Sequence, residues 1–414
     1  MRSRICIFTE HYYPDESATG YILTRIAEGI CAQFHVQVFT KHLGRGVEPS
    51  SGNHHIRNQV HVQRCRGTHL DKNRVANRIV NIITLSLAMF WRGVFEVRRD
   101  DVVLAVTNPP TMPFVVMMVC LVKRARYVLL IHDVYPDVLV ATSLIRSGDL
   151  LARLLDWLSS LNYRNAVGVI VLGRDMKERV LRKTTEIRDR IHLIPNWADT
   201  GEIAPAGKTE NRLLKEHALC DKFVVQYSGN MGRTHDLETL LGAATMLSND
   251  ANIHFLVLGA GAKRKSFEDA VRSAGLKNVT ILHPEARDHL DVLLAACDIA
   301  IIPFIGGMSG ISVPSRMYNI MAAGRPILAV ADEDSELGLV VREEEIGWVV
   351  PTAQPRRLAE TIREIRLNPG RLTEMGKRAR QAAESKYTFP AILAQVRKVL
   401  TDAARMSGSN HASA

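Results

Sequence analysis

Short apolar runs alternate with stretches of helical periodicity over most of the chain. In the first half, residues 5–9, 36–40, 60–64, 102–106, 127–131, 167–172 and 191–194 read as strands. Residues 18–33, 73–92, 111–122 and a segment carrying Leu151, Leu154, Leu155, Leu158 and Leu161 read as helices. Nearly unbroken apolar strands joined through helices predict a doubly wound, largely parallel sheet, because such strands are covered on both faces. The alternation lapses after Pro195 and resumes with strands at 223–227, 254–258, 279–282, 299–302 and 327–331, separated by helices at 237–247, 263–274 and 290–296. Helical patterns then run through 355–366, 370–385 and 389–405. The expected fold class is α/β, with two Rossmann-like domains facing each other across a cleft and ligands bound outside the carboxyl ends of the strands. The expected boundaries are 1–196, a linker at 197–221, 222–386, a C-terminal helix at 387–406 packing back on the first domain, and a disordered tail at 407–414.

Composition narrows the function classes. The 414 residues carry 53 Lys and Arg against 43 Asp and Glu, a net charge of +10. That surplus favours an acidic partner such as a phosphorylated substrate or an anionic lipid. No interleaving of basic and aromatic residues of the RNA-module kind is present, so nucleic acid is not expected. Six scattered cysteines without a C-x-x-C pair read as reduced core residues of a cytoplasmic protein, and the N-terminus enters a strand without a signal-peptide pattern.

The two longest apolar runs, 79–91 and 112–122, are shorter than the ~18 to 20 residues that span a bilayer. Lys72, Arg74, Arg78, Arg92, Arg98 and Arg99 flank the first, and Lys123, Arg124 and Arg126 follow the second. The pattern fits segments lying peripherally on an anionic membrane, and equally buried helices with solvated ends. His35, His42, His54, His55, His61 and His69 have no ligand spacing and read as a polar loop. Asp332-Glu333-Asp334 reads as a surface loop ahead of Glu336 rather than a metal site.

Four segments carry candidate chemistry. Residues 310–326, G-I-S-V-P-S-R-M-Y-N-I-M-A-A-G-R-P, join two buried strands through a loop and a helix. Met317, Ile320 and Met321 fall at core-facing spacing; Ser312, Ser315 or Arg316, and Asn319 fall on the other side, with Gly324 as a stop. Hydroxyls, a guanidinium and unpaired helix N–H groups suit a diphosphate, although Ser and Pro before a helix also fit ordinary capping. Gly229-Asn230-Met231-Gly232-Arg233 follows a strand, with glycines permitting close approach and an arginine suited to phosphate oxygens. In the first half, Gly20 lies near a helix start, and His132-Asp133 leave a buried strand as titratable groups at a loop. Gly259-Ala260-Gly261 lacks the third glycine of a dinucleotide fingerprint.

In order along the chain, Y-Y-P-D-E-S-A-T-G, I-H-D-V-Y-P-D, I-P-N-W-A-D, Y-S-G-N-M-G-R, G-A-G-A-K-R and V-P-S-R-M-Y-N-I-M-A-A-G-R-P resemble the family 4 glycosyltransferases of GT-B fold. The nearest likeness is to the bacterial subgroup that adds sugars, including fucosamine-type amino sugars, to lipid-linked intermediates of surface polysaccharides. The resemblance implies retaining transfer from a nucleotide diphosphosugar, with uridine favoured, to a lipid-linked saccharide acceptor, with no cofactor and no required metal. It places the donor on Gly229, Asn230, Gly232, Arg233, Gly310, Ser312, Ser315, Arg316 and Asn319, with Gly20 approaching the donor phosphate. His132 would contact the donor sugar and Asp133 would orient nearby groups. Arg233, Arg316 and the helix N-terminus would stabilise the departing diphosphate.

The chain departs from the family where Glu-x7-Glu is usual, having Ile311 and Asn319 there, and Asn230 and His235 stand where Arg and Lys are usual. A nucleotide-sugar 2-epimerase of the same architecture, or a non-catalytic nucleotide-sugar-binding protein at the membrane, is compatible with the same motifs.

Overall fold

The computed structural model describes residues 2–43, 54–70, 75–284 and 289–406. It comprises two compact units: residues 1–136, 147–194 and 393–414 form one, and residues 137–146 and 195–392 the other. Lys72, Asn73, Arg74 and the tail at 407–414 lie outside the described residues.

The first unit contains β1 (Arg4–Phe8), α1 (Ala18–Ile30), β2 (His35–Lys41), β3 (His54–Arg57), β4 (Val60–Cys65), α2 (Val75–Glu96), β5 (Val102–Val106), α3 (Met112–Lys123) and β6 (Arg126–Ile131). The chain passes through α4 (Asp137–Ala141), which belongs to the second unit. It returns with α5 (Leu150–Asn165), β7 (Gly168–Val171), α6 (Arg174–Lys183) and β8 (Ile191–Leu193). The sheet order is β3-β4-β2-β1-β5-β6-β7-β8. Among the described residues of this sheet, the β3–β4 pairing alone is antiparallel. The central strands are buried end to end, as at Val102–Val106, which is why they read as unbroken apolar runs.

The second unit contains α7 (Arg212–Glu216), β9 (Phe223–Ser228), α8 (Leu237–Met246), β10 (Ile253–Leu258), α9 (Arg264–Ser273), β11 (Val279–Leu282), α10 (Leu290–Ala295) and β12 (Ile299–Pro303). It continues with α11 (Arg316–Ala322), β13 (Ile327–Val330), α12 (Glu336–Glu343), β14 (Gly347–Val350), α13 (Pro355–Arg366) and α14 (Pro369–Lys386), and α15 (Phe389–Arg405) begins in it. Its parallel sheet runs β11-β10-β9-β12-β13-β14, so the winding direction reverses between β9 and β12. Helices α8 and α13 and strands β9, β10, β12 and β13 share one apolar core.

Several expectations are corrected. The histidines read as a polar loop lie partly in strands: His35 opens β2, His54 and His55 sit on β3, and His61 sits on β4. Strand β3 escaped pattern reading because it is a polar, half-exposed edge strand. It is held to β4 by a two-residue turn, Asn58-Gln59, with both φ values positive. The run at 79–91 belongs to a single 22-residue helix, about 33 Å long, which is long and apolar enough to cross a bilayer by length and composition. Interruptions at Asn81, Thr84 and Ser86 hid that length, yet the buried Asn81 is hydrogen-bonded to Thr68 and to the backbone of Leu70.

The stretch 197–221 is packed rather than extended. Trp197 is buried against Phe389 and donates to Asp199, and Lys208 pairs with Asp298 at 2.6 Å. From Leu393 onward, α15 counts with the first unit, where Arg397 donates to the Gly29 carbonyl and Gln33 reaches Thr401.

Candidate active site

The loops after β9 and β12 leave adjacent strands at the point where the second sheet reverses, which is where open α/β sheets bind ligands. Backbone bonds tie the two loops together: Ile305 N–H donates to Thr234 and Asp236 N–H to Pro303. Arg316, the first residue of α11, extends its half-buried side chain back to the end of β9. There Nη1 donates to the Ser228 carbonyl at 3.0 Å and Nη2 lies 3.2 Å from His235 Nε2, while the guanidinium carbon sits 5.1 Å from the Tyr227 ring centroid.

Because Arg316 can only donate, His235 Nε2 must accept, so its proton is on Nδ1 and points to the Tyr227 hydroxyl at 2.8 Å. That hydroxyl in turn donates to the Asn230 carbonyl at 2.7 Å. Burial, reinforced by the Arg316 charge, lowers the His235 pKa well below its ordinary value and keeps the imidazole neutral. His235 therefore positions the arginine. The sequence showed it only as a replacement for a family lysine, because its partner lies far along the chain.

The glycines of this region have specific neighbours. A Cβ on Gly229, where φ is +145°, would come within 2.6 Å of the Arg316 guanidinium carbon. A Cβ on Gly259 would meet the Gly229 carbonyl oxygen at 2.0 Å, and one on Gly261 would meet Asn230 Oδ1 at 2.5 Å. The G-A-G turn is thus a support for the loop after β9. Gly229→Ala combines left-handed strain of about 1–3 kcal/mol with displacement of the guanidinium. It is expected to weaken nucleoside diphosphate binding at least about tenfold in calorimetry; unchanged affinity would show that the guanidinium pose is not needed.

On α11, Met317, Ile320 and Met321 are buried as the spacing requires. Ser312 lies in the preceding loop rather than on the helix, and it, Ser315 and Asn319 are half-exposed, with no side-chain hydrogen bond to the described residues. Ser315 occupies the N-cap position without making a cap bond, so ordinary capping does not account for it. Gly310 takes φ of +73°, and Ile311 is core.

The expected role of the helix N-terminus is reduced. Helix α11 has seven residues, and the N–H groups of Met317 and Tyr318 are already bonded to Pro314 and Ser315. Asp332 does not stand free on the surface: its carboxylate accepts from the N–H groups of Gly307 and Ser309 and shapes the loop after β12. Among the described residues, no group of three or more His, Cys, Asp or Glu could hold a metal ion. Arg233 is exposed, and among the described residues the structure does not join it to Arg316.

In the first unit, His132 and Asp133 follow β6, and Thr107 Oγ1, at the end of neighbouring β5, accepts both backbone N–H groups at 3.0 and 3.1 Å. This threonine, unmarked in the sequence, fixes the turn that aims the histidine. His132 Nε2 is buried and has no hydrogen-bond partner among the described residues. Burial pulls its pKa down to about 4. Gly20 is accounted for by packing: it is buried, its N–H is held by Ser17 Oγ, and a Cβ would come within 2.5 Å of the Asp15 carbonyl. That leaves its N–H engaged rather than presented to a phosphate.

His132 and His254 are both held neutral by burial, with pKa values near 4, and His235 is lowered too. Their folded values lie below the ~6.5 of an unfolded histidine, so acid protonates the unfolded chain first. Stability is expected to be full above about pH 6.5 and to fall as pH drops toward 4. Thermal melts across that window check this; a constant Tm would contradict it.

Comparison with known proteins identifies the family. Residues 18–197 match the Glycosyl transferase 4-like domain, and residues 210–382 match Glycosyl transferases group 1. The chain is 30% identical over 368 residues to the probable glycosyltransferase WbjE of Pseudomonas aeruginosa, covering 88% of this chain and 89% of that protein. It is 25% identical over 246 residues to the putative colanic acid biosynthesis glycosyl transferase WcaI of Escherichia coli, covering 58% of this chain and 60% of that one. In fold it resembles Anabaena Alr3699/HepE, solved in complex with UDP and glucose, with a TM-score of 0.75 and 14% identity over 97% of this chain and 100% of that one. The chain belongs to the group 1, 4-like glycosyltransferases and has their GT-B fold of two Rossmann-like domains.

Proposed function

We propose that this chain moves a sugar, an amino sugar of the fucosamine type in the reading favoured here, from a UDP-linked donor to a lipid-diphosphate-linked saccharide. The setting is bacterial surface polysaccharide assembly on the inner face of the cytoplasmic membrane. The observation that carries the donor side is the Arg316 guanidinium, fixed by Ser228 and His235 against Gly229 at the start of the helix that Ser315 precedes. A preset cation of this kind suits the charge that grows on a departing diphosphate. WcaI, named for a polysaccharide pathway, and HepE, solved with UDP, support the setting and the base.

In the proposed reaction the bond from the anomeric carbon to the β-phosphate oxygen breaks. The acceptor hydroxyl forms the new bond on the same face, and its proton passes to the departing diphosphate, so configuration is retained. Neutral His132, with Nε2 unpartnered, supplies a hydrogen bond to the donor sugar. Arg316 and Arg233 carry the diphosphate charge, and Asn319 meets the ribose hydroxyls through both donor and acceptor. No metal is required.

Purified protein with excess chelator should bind UDP, and labelled UDP-sugar incubated with membranes should transfer label into organic-extractable lipid. UDP binding that vanished with chelator would remove the metal-free reading. Donor conversion without an acceptor would point to an epimerase instead.

A further inference from the structure

In the first unit, α3 packs against both α2 and α5. The inner faces of all three helices are spent on the protein: Leu85 and Met89 of α2, Val116 and Val119 of α3, and Ala152 and Tyr163 of α5 are buried. The outer faces of such helices ordinarily meet water and are polar. Here they are not. On α2, Ile79, Ile83, Leu87, Trp91 and Phe95 recur every four residues, each 50 to 77% exposed, and form one stripe along the helix. On α3, Met118, Leu121 and Val122 share an exposed face. On α5, Leu150, Leu151, Leu154 and Trp157 do the same. The leucines of α5 do not mark its buried side, which is formed by Ala152, Ser159, Ser160, Asn162 and Tyr163.

The charge around these stripes is one-sided. Residues 75–99, 112–126 and 150–165 hold nine Lys or Arg against two Asp or Glu. Arg78, Arg98, Arg99, Arg124 and Arg153 are exposed. Apolar stripes with tryptophans, flanked by cations, match a helix layer lying at the boundary between acyl chains and anionic headgroups. Helix α2 is long enough to cross a bilayer, but crossing would strip Leu85 and Met89 from the core. It would also separate Gly93 from Val119, whose side chain leaves no room for a Cβ. Lying on the membrane keeps those contacts.

We propose that the outer faces of α2, α3 and α5 insert together into the surface of an anionic bilayer, so the chain is a monotopic membrane protein held by hydrocarbon contact as well as by charge. This rests on the reading above, in which the acceptor is carried by a lipid. It goes beyond peripheral adsorption, and it makes α5 part of the docking face.

The test uses the full chain with phosphatidylcholine–phosphatidylglycerol vesicles. Co-sedimentation is expected at low salt and should persist at about 1 M salt, where screening reaches within about 3 Å. Trp91→Glu with Phe95→Glu on α2, and separately Leu151→Glu with Trp157→Glu on α5, should each weaken vesicle binding by at least about tenfold. Because all four side chains are exposed, UDP binding by the second unit should be unchanged and serves as the folding control.

Full release at high salt would reduce the contact to adsorption and overturn the proposal. So would α5 variants that bind vesicles like the unaltered chain, or a soluble dimer that hides the face and ignores vesicles. If vesicle binding fails while sugar still reaches a detergent-dispersed lipid acceptor, only this inference falls. If vesicles are bound but no lipid acceptor is ever labelled, the proposed function falls and the docking face stands.

Discussion

Arg316→Ala is expected to weaken UDP binding by about 1.5–3 kcal/mol, roughly 10- to 100-fold in Kd, because a charge-assisted contact is lost from a site that has already oriented it. The loss in turnover should be larger than the loss in affinity. The diphosphate carries more charge on its bridging side as the sugar departs, and one preset donor in such a place commonly contributes about 100- to 1,000-fold in rate. Arg316→Lys should recover only part of either quantity, since one ammonium cannot bond Ser228 and His235 together while facing phosphate. Calorimetry with UDP and single-turnover transfer separate the two effects. Undiminished UDP binding in the alanine variant would take Arg316 out of the donor site.

The second large effect is expected at His132. His132→Ala should lose transfer by about 100-fold or more while UDP affinity changes by less than about twofold, because the residue belongs to the other unit and its proposed partner is the sugar, not the nucleotide. The imidazole is already neutral, with its pKa pulled down to about 4 by burial. The rate should therefore show no titration of this group between about pH 6 and 8, unlike an ordinary histidine near 6.5. His132→Asn, which keeps a donor and an acceptor, should restore some turnover. Full activity in the alanine variant would end the assignment.

How far these residues could be found from the sequence varied with the kind of constraint each obeys. The strand at Ile299–Pro303 and the buried side of α11 were legible because burial on a strand or helix repeats with a local period. The phosphate-suited character of Ser312, Ser315 and Arg316 was legible as chemistry, but the competing capping explanation was not removable until Ser315 was seen to make no cap bond. Gly229 read as room for a ligand, and Gly261 as part of an incomplete dinucleotide fingerprint. In the fold the space beside them is taken by Arg316 and Asn230, so these glycines shape the site by admitting protein atoms. Gly20, expected near a phosphate, is a glycine because the Asp15 carbonyl leaves no space for a side chain. Thr107 went unmarked, and Asp332 was read only as part of a surface loop, because each serves backbone N–H groups of a different loop.

The two doubly wound sheets, the order of the motifs and the family are written in local residue patterns. Those properties follow from apolar periodicity and from short segments whose residues act within one turn of one another. Tertiary structure alone decided which cation is held in place, which histidine holds it, and which apolar stripes stay uncovered. Arg316 and Ser228 are 88 positions apart, and α5 buries Ser159, Ser160 and Asn162 while leaving Leu150, Leu151, Leu154 and Trp157 exposed. Contacts of that kind depend on how strands are ordered in the sheet and on which faces of the helix layer are covered, and no local period encodes either.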